Sequence, residues 1–279
     1  MESKILIRPA RPGDTGPVFA FLQEVWEGGD YLPSVWSEWL GDPQGQLVVA
    51  EVNGEPIGTG RIADLGGGEF WLEGLRVAAG YRGRGVAGKI QRHLLKVWEN
   101  ARGKSIGFLT HRDHTAVHAL ARATQFTERF RVQMLRWEAA GGAHDFQRRE
   151  DGAKATKRLA SWAESHGLDG RMEADWTYPE ITPERLQPQA VWCWRDERAF
   201  TVLDHDEWDG QAIAVLAGLC VETEDLAAFF MDLRRLCSML DLTGMRWFAP
   251  LSFLRVLQDA NVDPQTVEDL EMVAYLKFR

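Results

Sequence analysis

The 279-residue sequence has few cysteines and lacks a long apolar segment. Its three cysteines, Cys193, Cys220 and Cys237, are widely spaced and odd in number. This argues against a disulfide framework and a zinc site, and it favours a reducing, cytoplasmic setting. No apolar run is long enough to span a membrane, and Met1 leads directly into a strand-like segment at 5–7 without a signal peptide. The sequence therefore predicts no membrane partner.

The sequence also has fewer basic than acidic residues. The chain has 32 Lys and Arg against 41 Asp and Glu, a net charge of −9 and a pI near 5.4. An acidic chain of this kind argues against nucleic-acid binding and is compatible with a cationic, amine-bearing substrate. Hydrophobic residues make up 45% and charged residues 26%, which indicates a globular protein with enough length for two domains.

One stretch departs from this acidic background. Between Arg76 and Lys104 the sequence has eight basic residues and a single acid, Glu99. An apolar run at 70–77 predicts a strand, and a helical apolar stripe begins at Ile90. The glycine-rich turn between them indicates an anion site, because the first N–H groups of a helix are unpaired and its dipole adds positive charge.

Two common phosphate motifs fit this turn poorly. The glycines at 83, 85 and 88 match G-x-G-x-x-G, but five residues separate them from the end of the strand at Val77. The next strand ends in Thr110 and His111, where a dinucleotide site requires an acid that binds the ribose. A P-loop is excluded because no Lys-Ser or Lys-Thr follows the glycines. A nicotinamide dehydrogenase is therefore a distant alternative.

The run Arg82-x-x-Gly85-x-Ala87, preceded by Leu75-Arg76-Val77, is the better match. It resembles the acetyl-CoA signature of the GNAT N-acetyltransferase superfamily, [RQ]-x-x-G-x-[GA] after an L-x-V strand. The resemblance implies that acetyl-CoA is a co-substrate. Backbone N–H groups of the turn would bind its pyrophosphate, and the strand would bind its pantetheine arm. The implied cofactor-binding residues are Leu75, Arg76, Val77, Arg82, Gly83, Arg84, Gly85, Val86, Ala87 and His114.

The predicted elements over residues 3–138 follow the order β-α-α-β-β-β-α-β-α-β, which is similar to a complete GNAT domain. The implied fold class is α/β (α+β), a mixed, mostly antiparallel twisted sheet flanked by helices. We predict a GNAT domain at 1–138, a linker at 139–153 and a degenerate GNAT-like unit at 154–279, because the later elements repeat the back half of the first domain. At the matching turn, 219–225, three acids replace the glycines and arginines, so this second unit should lack a pyrophosphate loop.

Glu73 is the candidate general base. Period-two alternation places it on the same face as Leu75 and Val77, and its apolar neighbours would raise its pKa towards a useful range. The resemblance implies the same role, since a carboxylate on this strand often serves as the base in GNAT enzymes, with a backbone N–H near 75–77 as the oxyanion donor. The alternative is an ion pair with a neighbouring strand, for example with Arg61.

The acid that protonates the leaving thiol is harder to assign. The family usually has a tyrosine in the helix after the fifth strand, and this chain has Ala121 at that position. His114 and His118 lie one helical turn apart, near His111, and either could replace the tyrosine because imidazole titrates near neutrality. Solvated surface histidines are the alternative. No metal site is predicted, because a third ligand is not evident.

The first two helices line the acceptor groove in this family. Their aromatic residues Trp26, Tyr31 and Trp36 are the candidate substrate-binding residues, with simple core packing as the alternative. The function that follows is an acetyl-CoA-dependent N-acetyltransferase that acts on a primary amine of a small molecule or peptide, by direct attack in a ternary complex. The runner-up is a catalytically inactive acyl-CoA-binding or regulatory module. The oligomeric state is open, a homodimer included.

Overall fold

The computed structural model describes residues 4–23, 29–149 and 153–279, without the side chains of 153 and 265–269. It consists of two compact units. Unit 1 comprises Met1–Phe108, Ala116–Thr127 and Leu276–Arg279, and unit 2 comprises Leu109–Thr115 and Glu128–Tyr275. Within the described ranges, no helix is both long enough and apolar enough to cross a membrane.

The first nine regular elements carry the predicted turn and its surroundings. They are β1 (Leu6–Pro9), α1 (Thr15–Leu22), α2 (Leu32–Gly41), β2 (Gly45–Val52), β3 (Glu55–Gly66), β4 (Glu69–Val77), α3 (Val86–Asn100), β5 (Ser105–His111) and α4 (Thr115–Ala123). Strands β1 to β4 are antiparallel neighbours in that order, and β5 pairs with β4 in parallel. The predicted class, a mixed and mostly antiparallel sheet with helices, is confirmed.

Local sequence explains how these elements meet. Asn53 and Gly54 both have positive φ, at 52° and 87°, as the tight turn between β2 and β3 requires. Helix α3 lies close against β3, because a Cβ on Gly60 would come within 2.8 Å of the Ile90 side chain. Ile90 is fully buried there, which confirms that the apolar stripe of α3 faces the sheet.

A buried ion pair fixes the entry to α1. Two guanidinium nitrogens of Arg8 contact the two oxygens of Asp14, at 2.7 and 2.8 Å. Asp14 also accepts a 2.7 Å hydrogen bond from the N–H of Arg11, and its side chain is 8% exposed. Asp14 therefore orders the turn before α1, and it makes no side-chain cap to the helix itself.

Asp14→Asn is expected to lower the free energy of unfolding at neutral pH by about 1.5–3 kcal/mol, the scale of a hydrogen bond to a charged group, because it removes one of the two carboxylates that pair with the partly buried Arg8 and leaves only Glu51. The Arg8 hydrogen bonds hold the pKa of Asp14 below its usual 3.8. The stabilisation is therefore present above that value and is lost as the pH falls through the lowered pKa. Urea unfolding across this range should show the two proteins converging in acid; a constant difference would contradict this explanation.

The remaining elements belong mainly to unit 2. They are β6 (Thr127–Glu138), β7 (Phe146–Arg149), α5 (Ala153–Ser165), α6 (Pro183–Leu186), β8 (Ala190–Trp194), β9 (Ala199–Trp208), β10 (Gln211–Cys220), α7 (Leu226–Met239), β11 (Gly244–Pro250), α8 (Leu254–Asp259) and β12 (Gln265–Phe278). Its sheet contains the order β6-β11-β10-β9-β8-β7, in which only the β10–β11 pair is parallel. Helix α7 buries Phe229, Phe230 and Leu233 in the core of this unit.

Two boundaries differ from those expected from the sequence. The segment 139–153, predicted as a linker, contains β7, which pairs with β8 and buries Phe146. Strand β6, predicted to close the first domain at 138, pairs along 132–138 with β11 and lies mostly in unit 2. Strand pairing over long sequence separations decides both boundaries, and a linear pattern does not contain it. The three cysteines are buried and form no disulfide.

Candidate active site

Strands β4 and β5 are paired only where they begin. Their register joins 69–71 to 105–107, so pairing with β5 stops at Trp71 and Gly107. Beyond this point β4 continues through Leu72–Val77, still paired with β3 on its other edge. Beyond Trp71 the described strand pairs place no strand beside this second edge of β4, and such an edge is where an extended ligand can add as a strand would.

A β-bulge interrupts β4 in the same segment. The register with β3 pairs Glu73 with Arg61 and Arg76 with Thr59, so two residues of β4 oppose one residue of β3. The first of the two, Gly74, has a φ of 65°, which favours glycine. A bulge redirects a backbone N–H and changes which side chains share a face.

The bulge overturns the predicted alternation along β4. A Cβ on Gly60 would meet both Ile90 and Leu75, so Leu75 lies on the α3 side of the sheet. Val77 pairs with Gly58, whose Cβ position also faces Ile90. Glu73 pairs with Arg61 and lies on the opposite face. The prediction that Glu73 shares a face with Leu75 and Val77 was therefore wrong, because the extra residue shifts the alternation.

The predicted glycine turn is ordered for anion binding. Gly83 and the N-cap residue Gly85 have φ values of 74° and 75°, and a Cβ on either would meet no atom within 4 Å. The first helical hydrogen bond of α3 joins Lys89 N–H to Gly85 C=O at 3.1 Å. The N–H groups of Val86 and Ala87 precede it and lack intrahelical partners. The turn therefore combines open space with unpaired donors, which suits a pyrophosphate.

The two arginines of the turn have different surroundings. Arg82 donates from Nε to the carbonyl of Val77 at 3.2 Å, so its side chain ties the turn back to the end of β4. The Arg84 guanidinium lies 5.4 Å from the centre of the Tyr81 ring. Arg82 thus shapes the turn, whereas Arg84 supplies positive charge beside it.

Glu73 belongs to a small charged cluster. The Arg61 guanidinium contacts Glu73 Oε1 with one nitrogen and Asp42 Oδ2 with another, and it lies 4.8 Å from the centre of the Trp39 ring. The Arg61, Glu73 and Asp42 side chains are 10%, 17% and 21% exposed, so solvent reaches the edge of this cluster. Two carboxylates share one guanidinium, which leaves a net negative charge. The ion pair that we considered as an alternative role for Glu73 is therefore present.

Tyr31 lies at the start of α2, beside the bulge. Its ring is 5.3 Å from the Arg76 guanidinium and 6.1 Å from the Trp39 ring. Half of Tyr31 is exposed, and desolvation of its hydroxyl raises the pKa of Tyr31. Arg76 is also paired with the buried Asp30 at 2.7 Å. The Arg76 side chain thus faces α2, and only its backbone remains at the β4 edge.

The other predicted aromatic residues are placed differently. Trp36 is fully buried, with its indole N–H donating to Thr15 Oγ1 at 3.0 Å and its ring edge-on to Phe19. It therefore occupies a core position rather than a groove wall. Trp26 lies outside the described residues.

His111 and His114 lie together at the end of β5 and just after it. His114 Nδ1 lies 3.2 Å from Thr110 Oγ1, and the His111 and His114 rings are 5.4 Å apart. His118 follows within α4 and is half-buried. Ala121, at the position of the family's tyrosine, is fully buried. Among the described residues, no group of His, Cys, Asp or Glu is placed to hold a metal ion.

Several residues of this site were not identified from the sequence. The Gly74 bulge depends on counting residues on both β3 and β4, and Asp42 and Asp30 come from loops distant in sequence. A usable signal was the glycine at 74 within an otherwise apolar strand, since an isolated glycine there suggests a bulge.

Comparison with known proteins agrees with this geometry. The acetyltransferase (GNAT) family description matches residues 17–126. A histidine N-acetyltransferase from Xenopus tropicalis is 43% identical over 81 residues, which are 29% of this chain and 25% of that protein. The human protein named "Probable N-acetyltransferase 16" is 45% identical over 76 residues, 27% of this chain and 21% of that protein. The chain thus spans about a quarter of the length of these curated relatives.

Solved structures show that the likeness in fold extends further along the chain. A GCN5-related N-acetyltransferase from Sphaerobacter thermophilus superposes with a TM-score of 0.63 at 12% identity, covering 98% of this chain and 95% of that one. At this identity the likeness concerns the fold alone. With the matched segment, the glycine turn and the divergence of β4 from β5 in agreement, residues 17–126 of this chain belong to the GNAT acetyltransferase family.

Proposed function

We propose that this chain is an acetyl-CoA-dependent N-acetyltransferase that transfers the acetyl group to a primary amine in a ternary complex. One observation carries the proposal: β4 parts from β5 beside a glycine turn that begins α3. At the second edge of β4, backbone groups would pair with the pantetheine arm of acetyl-CoA. At the turn, unpaired N–H groups would bind its pyrophosphate. The two halves of acetyl-CoA thereby have adjoining sites in unit 1.

The proposed cofactor contacts are mainly backbone groups. The N–H groups of Val86 and Ala87, with the open surface of Gly83 and Gly85, would hold the pyrophosphate. Backbone groups of β4 from Leu75 to Val77 would hold the pantetheine arm, and Arg84 would add positive charge. His114 is the remaining residue of the predicted set, and its part in binding the cofactor stays a prediction.

Glu73 is proposed as the general base. It lies on the sheet face that carries α2, the side on which the acceptor groove is expected, and its side chain remains 17% exposed. Arg61 orients the carboxylate, and Asp42 contacts the same guanidinium. The proton lost by the attacking ammonium would pass to Glu73, directly or through one water.

The acid that protonates the leaving thiolate is proposed to be His114, with His118 as the second choice. The hydrogen bond to Thr110 fixes the His114 ring, and the half-buried ring can exchange protons with solvent. The buried methyl group of Ala121 cannot supply a proton.

The acceptor is proposed to be a cationic amine that packs against Tyr31. The exposed half of this ring lies beside Trp39 and near the negatively charged Glu73–Asp42 pair, a combination that suits an ammonium group. Histidine belongs among the amines to be tested, because that relative is named a histidine N-acetyltransferase.

Unit 2 is proposed to be a degenerate GNAT-like unit. Its succession β9-β10-α7-β11-α8-β12 repeats β3-β4-α3-β5-α4-β6, and β10–β11 is parallel as β4–β5 is. The turn before α7 has Glu222, Glu224 and Asp225 where α3 has glycines, and Arg198 pairs with the last two acids. Like charge disfavours a pyrophosphate there, so one acetyl-CoA per chain is expected.

The direct test is release of free thiol from acetyl-CoA across a panel of amines that includes histidine, other amino acids, polyamines and peptide N-termini. Turnover with one class of amine, and an acetylated product by mass spectrometry, is the expected result. Saturable binding of acetyl-CoA without turnover on any amine would favour the inactive acyl-CoA-binding module instead.

A further inference from the structure

Unit 2 contains an acidic pocket that the acetyl-transfer proposal does not use. Strands β9, β10 and β11 place Asp204, Val215 and Arg246 side by side in one row of the sheet. Asp206, two residues along β9, lies on the same face. The pocket is open to solvent and has a cavity volume of about 90 Å³. Its lining consists of Glu173, Ala174, Asp175, Asp204, His205, Asp206, Val215 and Arg246.

A buried carboxylate faces this pocket with one oxygen unsatisfied. Glu173 is 2% exposed, and its Oε1 accepts a 2.5 Å hydrogen bond from Arg246 Nη1. Its Oε2 is buried and has no hydrogen-bond partner among the residues that the structure describes. Buried polar atoms are nearly always paired, because an unpaired one loses its hydration without compensation. The open oxygen therefore indicates a missing hydrogen-bond donor.

The charge around the pocket defines which donor fits. Four carboxylates line it, and the single guanidinium of Arg246 is already bonded to Glu173 and to Asp206 at 3.0 Å. Asp204 makes no ion pair with this guanidinium among the described contacts; its Oδ1 accepts from the N–H of His205 at 2.8 Å. Burial raises the pKa of Glu173, and Arg246 opposes that rise. The carboxylates therefore favour binding of a cationic hydrogen-bond donor and disfavour binding of an anion.

Two aromatic rings, those of Trp176 and Phe248, pack near the Arg246 guanidinium. The Trp176 ring lies 5.4 Å from the guanidinium and meets Phe248 edge-on at 5.0 Å. Arg246 is therefore held between protein groups and is 1% exposed, so it is not free to turn and satisfy Glu173 Oε2 itself. The pocket keeps its negative character.

We propose that unit 2 carries a binding site for an organic cation, an alkylammonium or guanidinium group that donates to Glu173 Oε2 and is held by Asp204. Such a group brings both charge and N–H donors. A metal ion fits less well, since no metal-holding arrangement of His, Cys, Asp and Glu occurs in the described parts of the chain. The site is independent of the proposed acetyl transfer.

Calorimetric titration of the full chain with agmatine, which carries both groups, tests the proposal. One site at millimolar or tighter affinity is expected, with n-butylamine binding more weakly and the neutral n-butanol not binding. Glu173→Gln should weaken agmatine binding by about tenfold or more, the usual scale of a hydrogen bond to a buried charge. Asp204→Asn should weaken it by about threefold or more, because it removes one nearby charge but leaves the Arg246 contacts intact.

Asp209→Asn is the matched control. Asp209 is exposed in the turn after β9, so the variant removes the same charge from unit 2 without touching the pocket, and affinity should change less than about twofold. Agmatine bound at the proposed acceptor site of unit 1 would not respond to Glu173→Gln or Asp204→Asn, so these two variants separate the two sites. If Glu173→Gln fails to fold, the agmatine affinity of Asp204→Asn tests the proposal instead. The proposal would be overturned if agmatine did not bind, or if Asp204→Asn bound it as tightly as the unchanged chain. Equal binding of n-butanol, or binding of Mg²⁺ or Ca²⁺ in place of agmatine, would also overturn it.

Discussion

Glu73→Gln is expected to lower kcat by about 10²–10⁴-fold while the affinity for acetyl-CoA stays nearly constant. The amide keeps the size of the side chain but cannot accept a proton from the attacking ammonium. The pH–rate profile should also lose its acidic limb, since that limb would report titration of this carboxylate. Steady-state kinetics with the best amine of the panel, together with calorimetry for acetyl-CoA, measures both quantities.

Asp42→Asn is the control that separates chemistry from structure. Asp42 is the second carboxylate on Arg61, so both variants remove one ion-pair partner from the same guanidinium. If Glu73 acts only by holding Arg61, the two variants should lose turnover and stability in parallel. If Glu73 is the base, only Glu73→Gln should lose most of kcat. Full turnover in Glu73→Gln would remove this residue from the mechanism and point to a histidine or a water chain.

Gly85→Glu is expected to weaken acetyl-CoA binding at least tenfold, about 1.4 kcal/mol. The new carboxylate would occupy the open space at the N-terminus of α3 and repel the pyrophosphate, and φ of 75° would strain any residue with a Cβ. Direct titration of the folded variant measures the loss. Arg84→Ala should weaken binding less, because backbone groups provide most of the contacts.

Gly54→Glu provides the matched control for this variant. Gly54 also has a positive φ, of 87°, and open space at its Cβ, but it lies in the turn between β2 and β3. The control therefore adds the same charge and a similar backbone strain without entering the proposed site. Acetyl-CoA affinity should be retained in Gly54→Glu; equal losses in both variants would attribute the effect to strain rather than to the pyrophosphate contact.

The parts of the site that local sequence determines were predictable. Gly83 and Gly85 mark a turn, a helix must follow the apolar periodicity of α3, and unpaired N–H groups at a helix start need no tertiary information. The fold class followed from the same element order. Helical periodicity could not separate Trp36, which is buried within α2, from Tyr31, which is half exposed just before it, because only the packing of α1 against α2 distinguishes them.

The face of Glu73 could not be predicted, for a physical reason. Side-chain direction in a strand follows a period of two only while the ladder is regular, and one bulge at Gly74 reverses every later position. The partner Asp42 lies in a loop 31 positions before Glu73. It contacts Arg61 only when β2 and β3 are paired. The placement of β6 in unit 2 has the same origin.

We expect the chain to bind acetyl-CoA at the α3 turn of unit 1 and nowhere else. Calorimetric titration of the 279-residue chain with acetyl-CoA tests it most directly. The predicted result is one site per chain, abolished or at least tenfold weaker in Gly85→Glu and retained in Gly54→Glu. Two sites of similar affinity, or an unchanged site in Gly85→Glu, would contradict both the assignment of the turn and the degenerate character of unit 2.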